Sequence, residues 1–280
     1  MAGTAGILRA MVLCALQATA HAHGTLHRLM EVVDQKIKIS PDDAGLWYQR
    51  AVLNLEHEDT DQAIDDVEKA ESLSPGKLPT YLLKAQALTL AGRLPDAMTA
   101  IDAQILRFPE QSRGYSLRAR MLLKTGATQD GIVDYRTALA KSPAAEPDLI
   151  HEAATAMAAN GAVDEAIEVL DAGIHRLGAI PSLTMKLLEI EIQAGRYDAA
   201  LARINAYQQS APRPEPWMAK RAELLGQAQR IEESRASWQS LVTHLQELPA
   251  PERDCTAMSL LAARARDALT AISPPQSPLE

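Results

Sequence analysis

Residues 92–97 read Gly-Arg-Leu-Pro-Asp-Ala, and runs of the same form return at residues 126–131, 161–166 and 195–200. Each run begins with Gly and ends with Ala or Gly, and the starting glycines are 34, 35 and 34 residues apart. Glycine accepts the positive φ that a sharp reversal of the chain often needs. The recurrence therefore predicts a turn at the same place in each of several repeated units.

Other residue classes keep the same period. Prolines, small residues and aromatic residues form the series Pro41, Pro75, Pro109 and Pro143; Ala51, Ala85, Ala119 and Ala153; and Trp47, Tyr81 and Tyr115. A second small series consists of Ala63, Ala97 and Gly131, continued one residue late by Ala166 and Ala200. Chance agreement of four series on one period is very improbable, so the chain is predicted to be an array of similar units.

The first unit shows what each unit contains. Apolar residues recur at helical spacing on both sides of a polar break at residues 56–59, with Trp47, Ala51, Leu53 and Leu55 before it and Ala63, Ile64, Val67 and Ala70 after it. Neither stripe alternates as a strand would. Pro75 follows the second stripe, where it cannot continue a helix. The unit is therefore predicted to be two helices joined by a turn.

On these residues the chain resembles the tetratricopeptide repeat family, whose period is also 34 residues. The first unit departs from the family pattern because Glu58 stands at the Gly position, where we expect a less tight turn. The resemblance implies an all-α fold, a right-handed superhelical α-solenoid of helix–turn–helix repeats. One helix pair cannot bury both of its faces alone, so the units must stack.

The expected organisation follows from this period. A half-repeat helix in residues 23–43 precedes about six units, which are residues 44–77, 78–111, 112–145, 146–180, 181–214 and 215–248. The sixth unit is degenerate, with Gln229 at the Gly position. An amphipathic helix at 251–271, within the region 249–271, is expected to cap the array. The polar, proline-rich tail at 272–280 is expected to be disordered.

In this family the first helix of each unit lines a concave groove, and the resemblance implies which side chains face it here. The candidate groove residues are Tyr48, Val52, Leu55, Leu82, Gln86, Leu90, Arg113, Arg120, Lys124, Ile150, Met157 and Met185. The three cations form a basic patch within an apolar surface, which suits a protein or peptide segment with apolar and acidic residues. The alternative is that these cations are ordinary solvated charges.

The N-terminus has the form of a secretory signal peptide. Residues 1–22 contain Arg9 and no acidic residue, then an apolar stretch over residues 10–20, and they close with Ala-His-Ala. Those are the three parts of a cleavable signal. Cleavage after Ala22 is expected to leave a periplasmic or secreted protein. The alternatives are a lipoprotein signal modified at Cys14 and an uncleaved cytosolic helix.

Cleavage after Ala22 makes His23 the first residue, with His27 four residues further on. The terminal amine and the two imidazoles could chelate copper(II) or another borderline metal, for which imidazole is a suitable ligand. The alternative is a polar terminus whose His27 caps the first helix. A copper-handling accessory protein is therefore a second candidate function, and a structural adaptor in an envelope assembly is a third.

Composition narrows the classes of function. The chain has 28 Lys and Arg against 36 Asp and Glu, and a net charge of −8 argues against a general nucleic-acid binder. No apolar run approaches the roughly 20 residues that span a bilayer. The sequence contains no phosphate loop, GxSxG, HExxH or Gly-rich dinucleotide turn. We therefore expect a non-catalytic scaffold that binds a protein or peptide.

Overall fold

The computed structural model describes residues 25–142, 146–178 and 180–272, and these residues form helices joined by short turns, with no strand among them. This agrees with the helical periodicity of the sequence. Several expectations concern residues outside this part of the chain: the signal segment at 1–22, the metal ligand His23, the periodic Pro143 and the tail from 273 onward.

Unit 1, Met1–Leu149, is the first of two compact units. Its helices are α1 at residues 25–39, α2 Ala44–Glu56, α3 Thr60–Leu73, α4 Thr80–Leu90, α5 Leu94–Arg107, α6 Ser112–Lys124 and α7 Thr128–Ala140. The pairs are α2 with α3, α4 with α5 and α6 with α7. Successive first helices also touch, α2 against α4 and α4 against α6. The first helices of unit 1 therefore form one continuous layer.

Unit 2, Ile150–Glu280, contains most of α8 and all later helices. The bounds are α8 Pro147–Ala159, α9 Val163–Leu177, α10 Pro181–Gln193, α11 Tyr197–Ser210, α12 Glu215–Gln227, α13 Ile231–Glu247, α14 Ala250–Arg253 and α15 Thr256–Ile272. The last helix packs on α12 and α13. The final helix expected over residues 251–271 is thus divided, because α14 ends after one turn and α15 begins three residues later.

Six turns between paired helices share one backbone geometry. The residues with positive φ are Gly92, Gly126, Gly161 and Gly195, at +73° to +83°, together with Glu58 at 64° and Gln229 at 60°. In each turn the N–H of the following residue donates to the carbonyl five residues before it, at 2.8–2.9 Å. This bond closes the helix end. The expectation of a less tight turn at Glu58 is therefore wrong, and Glu58 instead holds a strained left-handed conformation.

Glu58→Gly is expected to stabilise the protein by roughly 0.5–1 kcal/mol, since relief of left-handed strain exceeds the extra freedom that Gly gives the unfolded chain. Gly92→Ala is the matched opposite. It should cost about 1 kcal/mol through backbone strain alone, because a Cβ at Gly92 would meet nothing within 4 Å. Urea unfolding of both variants measures these differences. A loss of stability in Glu58→Gly would contradict the strain argument.

The periodic prolines and aromatics form one recurring contact. The indole N–H of Trp47 donates to the carbonyl of Pro41 at 2.8 Å, and the hydroxyl of Tyr115 donates to the carbonyl of Pro109 at 3.2 Å. In both cases the acceptor lies six residues before the donor. The aromatic residue thus fixes the start of a first helix to the loop that precedes it, which explains why the two series share a period.

An arginine in a first helix binds carboxylates on two second helices. Arg50 makes a bidentate bond to Asp66, at 2.6 and 2.8 Å, and a further bond to Asp34 at 2.9 Å. Its partners lie 16 residues on either side of it, and Arg118 repeats this arrangement with Asp102 and Asp134 at the same spacing. The hydrogen bonds that Arg50 donates to buried Asp66 raise the pKa of Arg50 against the opposing effect of burial.

Candidate functional site

The layer of first helices in unit 1 presents an apolar surface. Tyr48, Val52 and Leu55 of α2 are partly buried and pack against a small core of buried residues. On α4, Gln86 is exposed and Leu90 is 62% exposed, although Leu90 is a large apolar residue. Since α2 and α4 are adjacent, these side chains lie on neighbouring helices of one layer.

The cations Arg113, Arg120 and Lys124 are exposed on α6. The charge of Arg113 acts on Tyr48 of α2. Burial raises the pKa of Tyr48, and the guanidinium of Arg113 acts in the opposite direction and lowers it. Charge acts in this way only over short distances. Tyr48 of α2 and Arg113 of α6 are therefore near enough to interact electrostatically.

Two candidate groove residues in unit 2 belong to the core instead. Ile150 is 3% exposed and Met157 is fully buried. Ile150 fills the space opposite Gly173 of α9, where an added Cβ would lie 2.9 Å from the isoleucine side chain. The prediction that these two residues line the groove is therefore wrong, because both side chains are buried in the core. Met185 of α10 is 44% exposed.

A cavity of about 440 Å³ opens beside Arg113. Its lining consists of apolar residues, cations and polar residues: Pro79, Leu82 and Phe108; Lys77, Arg113 and Lys141; and Glu110, Gln111 and Ser112. Leu82, a predicted groove residue, is only 8% exposed and therefore contributes an edge of this cavity rather than open surface. Lys141 pairs with Glu110 at 3.0 Å. Among the described residues, Lys77 and Arg113 form no ion pair.

The N-terminus of α6 adds to the positive character of this cavity. Gln111 precedes the helix without capping it, since its side-chain oxygen accepts a bond from Gln104 at 3.0 Å. No acidic residue lies in the first turn of α6. The first N–H groups of a helix carry a partial positive charge and bind anions when no side chain satisfies them. The cavity therefore combines three cations, one of them paired with Glu110, and a helix end with a lining of apolar and polar residues.

Sequence reasoning missed Lys77, Phe108 and Lys141. These residues lie in or next to the segments that join one helical pair to the next, whereas the groove was inferred from first helices alone. Each stands within two residues of a periodic proline. Phe108, moreover, is the single phenylalanine of the chain. The residues next to the periodic prolines were thus the part of the sequence from which these three cavity residues could have been predicted.

The described part of the chain gives little support for a metal site of three or more ligands, a reactive cysteine or a membrane-spanning helix. No group of three or more His, Cys, Asp or Glu side chains is placed there to hold a metal ion. Cys255 is a free thiol that packs partly buried against the α12–α15 core. None of the helices in residues 25–272 that the structure describes is both long and apolar enough to cross a membrane.

Residues 54–121 match the tetratricopeptide repeat family. This stretch of the chain is similar to tetratricopeptide repeats. The predicted resemblance and the predicted all-helical repeat fold are thereby confirmed. Proteins of this family are generally non-catalytic scaffolds, and the fold is consistent with protein binding. No curated protein matches the chain by sequence.

Solved structures show the same repeat fold at low sequence identity. The Cut9–Hcn1 hetero-tetramer of the APC/C matches with a TM-score of 0.52 and 14% identity, over 89% of this chain and 48% of that one. Yeast Tom70 matches with a TM-score of 0.51 and 18% identity, over 78% of this chain and 46% of that one. PilF of Pseudomonas aeruginosa matches with a TM-score of 0.50 and 13% identity, over 81% of this chain and 98% of that one. This chain thus spans about half the length of the first two.

Arg113→Gln is expected to raise the pKa of Tyr48 further, because the variant removes the positive charge that favours the phenolate. Lys124→Gln makes the same charge change farther along α6 and should leave that pKa unchanged. Carbon-13 NMR titration, with Tyr48→Phe to assign the signal, measures both. An unaltered Tyr48 titration in Arg113→Gln would mean that the two side chains do not share a surface.

Proposed function

We propose that this protein is a non-catalytic scaffold whose unit 1 binds an extended protein segment carrying apolar and acidic residues. The observation that carries the proposal is the cavity beside Arg113, where Lys77 and Arg113 lie beside apolar residues and a third cation, Lys141, is paired with Glu110. The whole chain has a net charge of −8. A locally positive cavity on an acidic protein favours anionic groups and disfavours basic partners.

The two parts of the surface suit different parts of such a segment. Apolar side chains of the ligand would cover Val52, Leu55 and exposed Leu90, removing apolar area from water. A carboxylate would enter the cavity and accept hydrogen bonds from Arg113 and Lys77. A hydrogen bond to a charged group contributes about 1.5–3 kcal/mol when its geometry is good. Acidic groups would therefore fix the register of the segment, and apolar contacts would supply much of the affinity.

The envelope is the location that the N-terminal sequence supports. Its charged start, short apolar stretch and Ala-His-Ala end at residues 20–22 are the features of a secretory signal. In this proposal the groove meets its ligand in the periplasm or outside the cell. Mass spectrometry of the protein isolated from its source is expected to show His23 as the first residue. A chain that still begins at Met1 would contradict this location.

Selection of random peptides on the immobilised full chain tests the binding role. The enriched peptides are expected to combine Asp or Glu with large apolar residues. Arg113→Glu should then weaken binding of a selected peptide at least about tenfold, as charge reversal in a partly enclosed site costs more than 1.4 kcal/mol. Fluorescence anisotropy with the labelled peptide measures this.

Lys69→Glu is the matched control, because Lys69 is an exposed lysine of α3 that does not line the cavity. It changes the net charge of the protein by the same amount and should leave the affinity within about twofold. Enrichment of peptides without acidic residues would reject the proposal. An equal loss of affinity in both variants would reject it as well, since net charge rather than the cavity would then decide binding.

A further inference from the structure

Two histidines from different helices lie next to each other at one end of unit 1, away from the cavity. His27 belongs to α1 and His57 is the residue that ends α2. Their ring centroids are 5.6 Å apart and their ring planes are tilted by 38°. Both residues are exposed. Neither is part of the binding surface described above.

The packing of α1 on α2 brings the two rings together. Asp34 of α1 accepts a hydrogen bond from Arg50 of α2 at 2.9 Å. His27 lies seven residues before Asp34, and His57 lies seven residues after Arg50. Seven residues are about two helical turns, or roughly 10.5 Å. Because the two helices run in opposite directions, equal steps away from the ion pair lead to the same end, where the imidazoles meet.

The backbone at His57 is held in place independently. Its N–H donates to the carbonyl of Leu53 at 3.0 Å, and the next residue, Glu58, forms the left-handed turn into α3. The backbone that carries the second imidazole is thus held by the closed end of α2. The pair therefore connects the lone helix α1 to the turn of the first helical pair.

The separation of the rings is close to that of two imidazoles on one metal ion. A zinc-bound imidazole nitrogen lies about 2.0–2.1 Å from the ion, so the ring centroid lies roughly 3.2 Å from it. Two such rings have centroids roughly 4.5–5.5 Å apart when the angle between them at the ion is from about 90°, as for copper(II), to about 120°. The observed 5.6 Å differs from this range by an amount that a small side-chain rotation supplies.

We infer that His27 and His57 together bind a divalent transition metal ion, and that copper(II) binds most tightly. Imidazole is a suitable ligand for copper, zinc and nickel, and copper(II) stands highest in the affinity order. Among the described residues no third His, Cys, Asp or Glu joins the pair, so the inference concerns these two ligands alone. The inferred site thus pairs His27 with His57, and the site of His23 and His27 that the sequence suggested stays a separate prediction, since His23 lies outside the described residues.

Isothermal titration of the full chain with copper(II) sulfate, in a non-coordinating buffer, tests the inference. One ion is expected per chain, and His57→Gln should weaken binding at least about tenfold. His175→Gln, at an exposed histidine of α9, is the matched control and should bind copper as the unaltered chain does. Equal affinity in His57→Gln and the unaltered chain would overturn the inference, including the case in which the N-terminal amine and His23 hold the ion.

A second measurement does not depend on the folding of a variant. Substoichiometric copper(II) is paramagnetic and should broaden the imidazole NMR signals of both His27 and His57 in the unaltered chain. Copper should also raise the unfolding temperature of that chain, because an ion that binds only the folded state stabilises it. Broadening confined to other residues would show that the two rings are only an aromatic contact.

Discussion

The close approach of paired helices is the constraint on which the rest of the structure depends. Each pair in unit 1 carries a buried small residue on both helices: Ala51 and Ala63, Ala85 and Ala97, and Ala119 and Gly131. At Gly131 an added Cβ would lie 2.9 Å from Leu123 and 3.1 Å from a backbone carbonyl of α6. Larger side chains at these positions would separate the helices, and the first helices could no longer form the continuous layer that bears Tyr48 and Arg113.

The sequence predicted the fold well because its signals are local and repeated. Gly turns, small residues and helix-ending prolines each act within one unit, so their period is visible along the chain. The carboxylate bonds of Arg50 and Arg118 were not foreseen, since they join side chains 16 residues apart on separate helices. The turn at Glu58 is as tight as the glycine turns because its closing hydrogen bond joins backbone atoms, which every residue type supplies. The residue type decides only how much backbone strain the left-handed conformation costs.

The site was only partly predictable for a related reason. The position of a residue in the first helix does not by itself show whether its side chain is exposed or buried in the core. Leu82, Ser116 and Ile150 occupy the same position of three successive units, 34 residues apart, and none is more than 9% exposed. The cavity depends on segments between helical pairs, which carry no helical period. Two of its three cations also differ in kind from the periodic arginines. Arg50 and Arg118 are bound to carboxylates, whereas Arg113 and Lys77 form no ion pair among the described residues and can bind a ligand.

Hydrogen exchange of the full chain, with and without an acidic, apolar-rich peptide selected on it, tests the central claim most directly. The claim is that the first helices of unit 1 and the cavity beside Arg113 form the binding surface. It predicts slower exchange on peptide binding at residues 45–56, 80–90 and 108–124, with unit 2 little changed. Protection confined to unit 2, or spread evenly over both units, would contradict it.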